Sequence, residues 1–461
     1  MAKQRSYYYC RECGYQSSSW LGKCPACSKW NTFDEEVVQR ESPAIAARKK
    51  SSTQGSQPKL IQHVTYSETR RMPTHCNEFD RVLGGGIVPG SILLIGGEPG
   101  IGKSTLLLQT ALAVSDRKIL YVSGEESEEQ IKMRADRVVA ASSQSLDYGQ
   151  LYVVSETSME RIFEHIVNTE PDLLIVDSIQ TVNTESIESS SGSISQIREC
   201  TTQFQRYAKE SGVPVLLVGH ITKDGTLAGP KIMEHIVDAV LQFEGDRNYG
   251  FRILRSLKNR FGSTAEIGIF EMRGNGLCEV SNPSELLLSH REEMLSGAAV
   301  AATLEGARPM FIEVQSLVSS AVYGTPQRNA NGFDMRRMSM LLAVLEKRCG
   351  FKLGAKDVFL NMAGGMRVND PALDLAVACS ILSSNVDMPI SPRYCFAAEL
   401  GLSGEVRPVS RIEQRIGEAA RLGFEKIFVS KYDAKSIDAS KYDINIVSIG
   451  GIDEAFRALF A

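Results

Sequence analysis

The segment Gly97–Ser104 reads GEPGIGKS, the spacing G-x-x-x-x-G-K-[ST]. Glycines so placed let backbone N–H groups close around phosphate oxygens, and the following helix N-terminus adds a favourable dipole. Gly97, Glu98, Pro99, Gly100, Ile101, Gly102, Lys103, Ser104 and Thr105 are therefore the candidate nucleotide-binding residues. Lys103 is expected on the β- and γ-phosphates and Ser104 on Mg²⁺. Asp177 closes the apolar run Asp172–Asp177, where a Mg²⁺-holding carboxylate belongs. Glu125 follows the apolar run Lys118–Ser123 and is the candidate to orient an attacking water. Its neighbours Glu126, Glu128 and Glu129 read as a solvated helix start, favoured by the dipole. His220 stands at a strand end, either as a sensor of the γ-phosphate or as a packed polar residue. The polar loop Ile221–Pro230 suits a nucleic-acid-facing loop as well as a plain mobile one.

A second chemistry lies near the start. Cys10, Cys13, Cys24 and Cys27 form CxxC–x10–CxxC. Four thiolates close a tetrahedral structural Zn²⁺ site with no open position for catalysis. About 30 residues build too little core to fold alone, so metal binding would supply folding energy. Tyr7, Tyr8, Tyr9, Trp20 and Trp30 are expected to pack around that metal, stacking on bases being the other use for them.

These residues need elements to hold them. Ser91–Ile95 reads as a buried strand before the phosphate loop, and Thr105–Ala113 as a helix after it. Strands at Lys118–Ser123, Leu151–Val154, Asp172–Asp177 and Val213–His220 alternate with helical segments such as Ser158–Asn168. That alternation predicts an α/β fold with a largely parallel sheet covered by helices. The segment 34–58, rich in Ser, Gln, Lys and Arg, reads as a mobile linker.

At 461 residues the chain has room for two or three domains. A net charge of −4 excludes a global basic field, so any nucleic-acid site must be a local patch. No apolar run is long enough to span a bilayer, and the polar N-terminus is no signal peptide, which together predict a cytoplasmic protein. Four clustered and six scattered cysteines fit a metal site plus reduced thiols rather than a disulfide framework.

GEPGIGKST, YVSGEES at Tyr121–Ser127, LLIVDSIQT at Leu173–Thr181 and VGHITKDG at Val218–Gly225 resemble the RecA-type ATPase core. Lys258–Gly262, KNRFG, is similar to the motif that marks the RadA (Sms) family of DNA-repair proteins, and the resemblance covers nearly the whole chain. The K-x-R part also resembles the pair that DnaB-type helicases insert into a neighbouring subunit's ATP site. The resemblance thus implies that Lys258 and Arg260 act in trans, where such fingers are worth about 10³–10⁵ in rate. The residues taken alone read as a basic turn between two strands.

The C-terminal half is similar to the α+β proteolytic domain of the Lon protease, whose Ser–Lys dyad would fall at Ala372 and Glu413. Neither residue can take the dyad's role, which predicts a proteolytically inactive scaffold for ring assembly and DNA binding. Arg308, Arg328, Arg336, Arg337 and Lys347 are its candidate phosphate contacts. The expected organisation is a four-cysteine zinc-binding module at 1–33, a linker at 34–58, a RecA-like ATPase domain at 59–283 and a Lon-protease-like domain at 284–461. The resemblance implies a DNA-dependent ATPase and helicase of recombinational repair. It would use ATP, Mg²⁺ and Zn²⁺, form a hexameric ring, act on single-stranded and branched DNA, and promote branch migration with the RecA recombinase. The alternatives are an ATP-dependent serine protease and a RecA-like regulatory ATPase that makes no motion on DNA.

Overall fold

The structure, a computed structural model, describes residues 5–10, 15–38, 60, 71–141, 148–219, 230–245, 251–274, 276–282, 284, 288, 294–321, 325–363 and 368–460. The chain forms two compact units, Met1–Val280 and Ser281–Ala461.

The first unit opens with three short strands, β1 (Arg5–Cys10), β2 (Gln16–Ser17) and β3 (Phe33–Val38), in the order β2-β1-β3 and antiparallel throughout. Strand β3 pairs with β1 from Phe33↔Cys10 to Val38↔Arg5, carrying this small sheet into the segment read as a linker. Acidic composition hid it, because Asp34, Glu35 and Glu36 are poor strand formers whose pairing is set by the partner strand.

The rest of the unit is a nine-stranded sheet. Its parallel strands are β4 (Ile92–Gly96), β5 (Lys118–Ser123), β6 (Gln150–Ser155), β7 (Leu173–Asp177), β8 (Val215–Val218) and β9 (Ala239–Glu244). Three antiparallel strands extend it, β10 (Phe251–Asn259), β11 (Ile267–Arg273) and β12 (Gly276–Glu279). The order is β12-β11-β10-β9-β4-β8-β7-β5-β6. The central strands are apolar on both faces, as a sheet covered twice requires. On β4, Leu93 and Ile95 join one core with helices α1 (Lys103–Ala113) and α2 (Glu128–Ala141), while Ile92 and Leu94 join the other with α3 (Met159–Thr169) and α4 (Ile194–Ser211). This is the RecA-like parallel core that the resemblance implies.

The second unit holds a seven-stranded mixed sheet. Its strands are β13 (Ala298–Glu305), β14 (Arg308–Ser320), β15 (Arg328–Asn331), β16 (Lys356–Met362), β17 (Tyr394–Ala397), β18 (Lys426–Ser430) and β19 (Asn445–Ile449). The order is β15-β16-β14-β13-β17-β18-β19. The helix α5 (Asp374–Val386) is buried over Asp374–Ser383 and packs on β13 and β14. Helix α6 (Ile412–Arg421) buries Ile412, Ile416 and Ala419 in a core with Val300, Phe311 and Val429. Arg415 of α6 forms a largely buried charged pair with Asp370. Arg415, 1% exposed, donates to Asp370 Oδ2 at 2.6 Å and to the Ala302 carbonyl at 2.7 Å. Asp370 also accepts from the Leu304 N–H at 2.7 Å and the Thr303 hydroxyl at 3.1 Å, so both charges are fully partnered.

Arg415→Ala would strand the Asp370 charge. The expected loss is about 3–5 kcal/mol, read as cleavage within residues 281–461 at lower urea concentration. Glu413→Ala, on the exposed side of the same helix, should shift that transition by no more than about 0.5 kcal/mol.

Candidate functional site

The phosphate loop turns directly out of β4 into α1. Gly102 sits at φ +118° as the N-cap of α1, and a Cβ there would stand 2.9 Å from the Met272 methyl and 3.1 Å from Leu277. No side chain caps this helix, so its first N–H groups are left for a ligand anion. Gln109 fixes the helix from behind, exchanging two amide hydrogen bonds with the Leu277 backbone on β12. Glu98, Pro99 and Gly100 are exposed at the tip, Gly97, Ile101 and Gly102 are buried, and Ser104 and Thr105 are half-buried in the first helical turn.

Lys103 is 4% exposed. Its ammonium donates to the Gly97 carbonyl at 2.8 Å and the Glu98 carbonyl at 3.0 Å, folding back over the loop. Burial pulls its pKa down to about 8, against the opposing pull of the Asp177 and Glu125 carboxylates. Those two carboxylates arrive by strand register. In the parallel β5–β7 pair Ser123 stands level with Asp177, and the Gly124 N–H donates to the Asp177 carbonyl at 2.8 Å. A Cβ on Gly124 would overlap the Thr181 hydroxyl, so only glycine lets the chain turn here towards Glu125. The Tyr121 hydroxyl donates to Asp177 Oδ2 at 2.6 Å, and the Ser178 hydroxyl to Glu125 Oε1 at 2.7 Å. Burial and the adjacent Asp177 push the Tyr121 hydroxyl well above its ordinary range, which keeps it a donor. Glu126 turns away and pairs with Arg134. The uncapped helix, the buried ammonium and the paired carboxylates fit a nucleotide phosphate with Mg²⁺. Nothing in the spacing of the motifs announces Tyr121 and Ser178, which fix the two carboxylates.

Lys258 and Arg260 are not brought to this loop. Lys258 stands level with Val240 and hence with Leu94, two strands across and three residues before Gly97. That is roughly 10 Å along the strands and roughly 10 Å across them. Its ammonium donates to the Glu234 and Val237 carbonyls at 2.5 and 2.8 Å. Burial and the neighbouring Arg260 lower its pKa. Arg260 donates to Asp238 Oδ1 at 3.1 Å. Asp238 is buried, and its Oδ2 accepts from Lys209 at 2.6 Å and from the Ile92 N–H at 3.1 Å. His220 and the loop 221–229 lie outside the described residues.

In the small N-terminal sheet, the sulfurs of Cys10, Cys24 and Cys27 lie within 4.8 Å of one another, with Cys10 and Cys27 at 3.6 Å. Thiolates on a tetrahedral zinc stand about 3.8 Å apart, so this cluster fits the ion. The Ser28 N–H to Cys24 carbonyl bond, 2.9 Å, closes the second knuckle. Cys13, the fourth expected ligand, lies outside the described residues. Tyr8 and Leu21 pack beside the cysteines. Trp20 and Trp30 do not pack around the metal as expected. They are 54% and 69% exposed, because Cys10, Cys24 and Phe33 already fill the small interior.

In the second unit Ala372 is wholly buried in a short turn capped by Asp370, and Glu413 is exposed. Two of the five candidate phosphate contacts are structural instead. Arg308 is buried and donates to the Ser281 carbonyl at 2.6 Å, and Arg337 pairs with the buried Asp374 and with Glu399. Both neutralise or cap groups that burial would otherwise leave unpaired. Arg336 and Lys347 are exposed, and Arg328 is half-buried on the edge strand β15. Among the described residues, no helix is long and apolar enough to cross a membrane.

Comparison with known proteins agrees with this layout. Residues 67–226 match the family model of an AAA domain, residues 314–433 that of subunit ChlI of Mg-chelatase, and residues 8–35 that of a rubredoxin metal binding domain. The DNA repair protein RadA of Bacillus subtilis (strain 168) is 48% identical over 460 residues, covering 99% of each chain. Its counterpart in Listeria monocytogenes serovar 1/2a is 46% identical over 460 residues, covering 99% of this chain and 98% of its own. The crystal structure of the RadB recombinase overlays 45% of this chain and 99% of its own at 20% identity, with a TM-score of 0.38. With such identity along its whole length, the chain belongs to the RadA family of DNA repair proteins.

Proposed function

We propose that this protein is a DNA-dependent ATPase that moves along DNA and promotes branch migration of recombination intermediates together with a RecA recombinase. The observation that carries the ATPase part is Lys103, a buried ammonium facing Asp177 and Glu125 at the mouth of an uncapped helix. Phosphate oxygens would replace the Gly97 and Glu98 carbonyls as its partners. Ser104 and Asp177 would hold Mg²⁺, which neutralises charge between the β- and γ-phosphates. Glu125, held by the Ser178 hydroxyl, would orient the attacking water. Tyr121 holds the Asp177 carboxylate in place.

Lys258 and Arg260 stand beside the start of β9, the end away from their own loop. That placement supports action in trans on a neighbouring subunit's γ-phosphate, within a ring that we take to be a hexamer. The ring also gives single-stranded and branched DNA a path, and the name of the family's members supports DNA as the track. Three observations favour a non-proteolytic C-terminal unit. Ala372 has no nucleophile and no exposure, Glu413 is no amine base, and Asp370, two residues before Ala372, is held by Arg415. The cysteine cluster supports one structural Zn²⁺ completed by Cys13.

Three expected outcomes test this reading. Lys103→Ala should lower ATP turnover by at least about 10²–10³-fold, as removal of one preorganised charge-stabilising group does, with the far-UV spectrum unchanged. Wild-type turnover in a folded variant would refute the assignment. Arg260→Ala should bind ATP normally and turn it over about 10³–10⁵-fold more slowly. Mixed with Lys103→Ala subunits it should regain activity above either variant alone, and lose that gain on dilution. Absence of rescue in assemblies shown to be mixed would remove the trans role. Elemental analysis should find one zinc per chain, lost in Cys10→Ser, while basal ATP turnover persists. Wild-type protein purified without chelator and free of metal would refute the zinc site.

A further inference from the structure

The small zinc sheet carries a feature that metal binding does not use. The chain has two tryptophans, and both lie in the segment between β2 and β3 with more than half their surface in water. A tryptophan offers 150–250 Å² of mostly apolar surface, so two left exposed on a module with so little core call for an occupant.

The rings are held side by side. The Asn31 N–H donates to the Gly22 carbonyl at 2.8 Å, and Lys23 bridges Trp30 antiparallel, so the segment 20–23 lies against 30–31. Gly22 stands between the indoles. A Cβ there would be 3.7 Å from the Trp20 ring and 3.9 Å from the Trp30 ring. A side chain larger than a methyl there would press on both rings. Lys23 sets its ammonium 5.7 Å from the centre of the Trp30 ring. From Ser17 to Phe33 the chain has Lys23 and Lys29 and no acid; the acids start at Asp34 on β3.

The surroundings choose the occupant. A protein-docking patch has an apolar core ringed by polar residues. Here the exposed residues between Ser17 and Phe33 are small or polar apart from Pro25 and the two tryptophans, and the one large aliphatic, Leu21, is half-buried in the ribbon's own core. Aromatic faces beside a cation and small polar groups, without large aliphatics, match the way unpaired bases are held, the rings stacking and an ammonium group meeting phosphate. We infer that Trp20 and Trp30, flanking Gly22, form a stacking site for the unpaired bases of single-stranded nucleic acid. This inference rests on the DNA-binding reading above and adds to it a site in the zinc module.

The chain carries its own probe, because all tryptophan emission comes from this site. The full-length protein is titrated with single-stranded oligothymidine and with an abasic strand of equal length and charge, while anisotropy of the labelled strand reports binding. Oligothymidine should quench the emission and the abasic strand should not. Trp20→Ala and Trp30→Ala should each weaken oligothymidine binding roughly 5- to 150-fold, the loss expected for one stacked base. Each variant should retain one zinc per chain, and Trp30→Tyr should recover most of the affinity. Bound oligothymidine without quenching, equal quenching by the abasic strand, or variants that keep zinc and bind as the wild type would each overturn the site. Emission that shifts with protein concentration alone would assign the face to a second copy of this chain, and so overturn it too. ATP turnover that rises with oligothymidine while emission stays constant would remove the stacking site and leave the proposed function standing. A chain that binds no strand of either kind would remove both.

Discussion

Taking the Lys103 ammonium out of water is unfavourable unless other groups replace its hydration, and the C-terminal edge of the sheet is arranged to supply them. Two loop carbonyls take its hydrogen bonds, and two carboxylates oppose the effect of burial on its charge. Each carboxylate is in turn held by a hydroxyl that the register of β5 and β7 puts beside it. Partners that are merely adequate without ligand are a fitting preparation for one that binds better, and a triphosphate brings more charge than the carbonyls it displaces.

Legibility followed the range of the interactions. A strand buried on both faces is written as a continuous apolar run, so β4, β5, β7 and β8 stand out, and the residues that close such runs, Gly97, Glu125 and Asp177, can be named directly. Their assembly into one site needs only the parallel pairing that alternating strands and helices already imply. The antiparallel strand β10 is harder to see, since its run is interrupted by Arg252, Arg255 and Lys258. Asp238 is invisible as a partner because Ile92, Lys209 and Arg260 reach it from distant parts of the chain. The tryptophans mislead for a different reason. Residue type predicts burial only where a core is large enough to receive the side chain, and so small a sheet has none to offer.

The second unit shows the same limit in reverse. Arg308 and Arg337 read as phosphate contacts, yet both are drawn inward to a carbonyl or carboxylate, as Arg415 is. Basic residues become anchors when the fold leaves acceptors unsatisfied, a condition that no local pattern records. The exposed Arg336 and Lys347 carry no such duty and keep their charge at the surface.

Asp238 faces two cations and a backbone N–H with a single carboxylate, and the two cations differ in their ties. Lys209 and the Ile92 N–H share one oxygen, while Arg260 holds the other from a position more than half in solvent. An arginine swinging away from Asp238 leaves behind a carboxylate that is still neutralised. It therefore avoids most of the roughly 3–5 kcal/mol penalty that stranding a buried charge would bring. The counter-charge is redundant, and redundancy makes the guanidinium a group on loan. It can be recruited elsewhere and returned without the sheet beneath it coming apart.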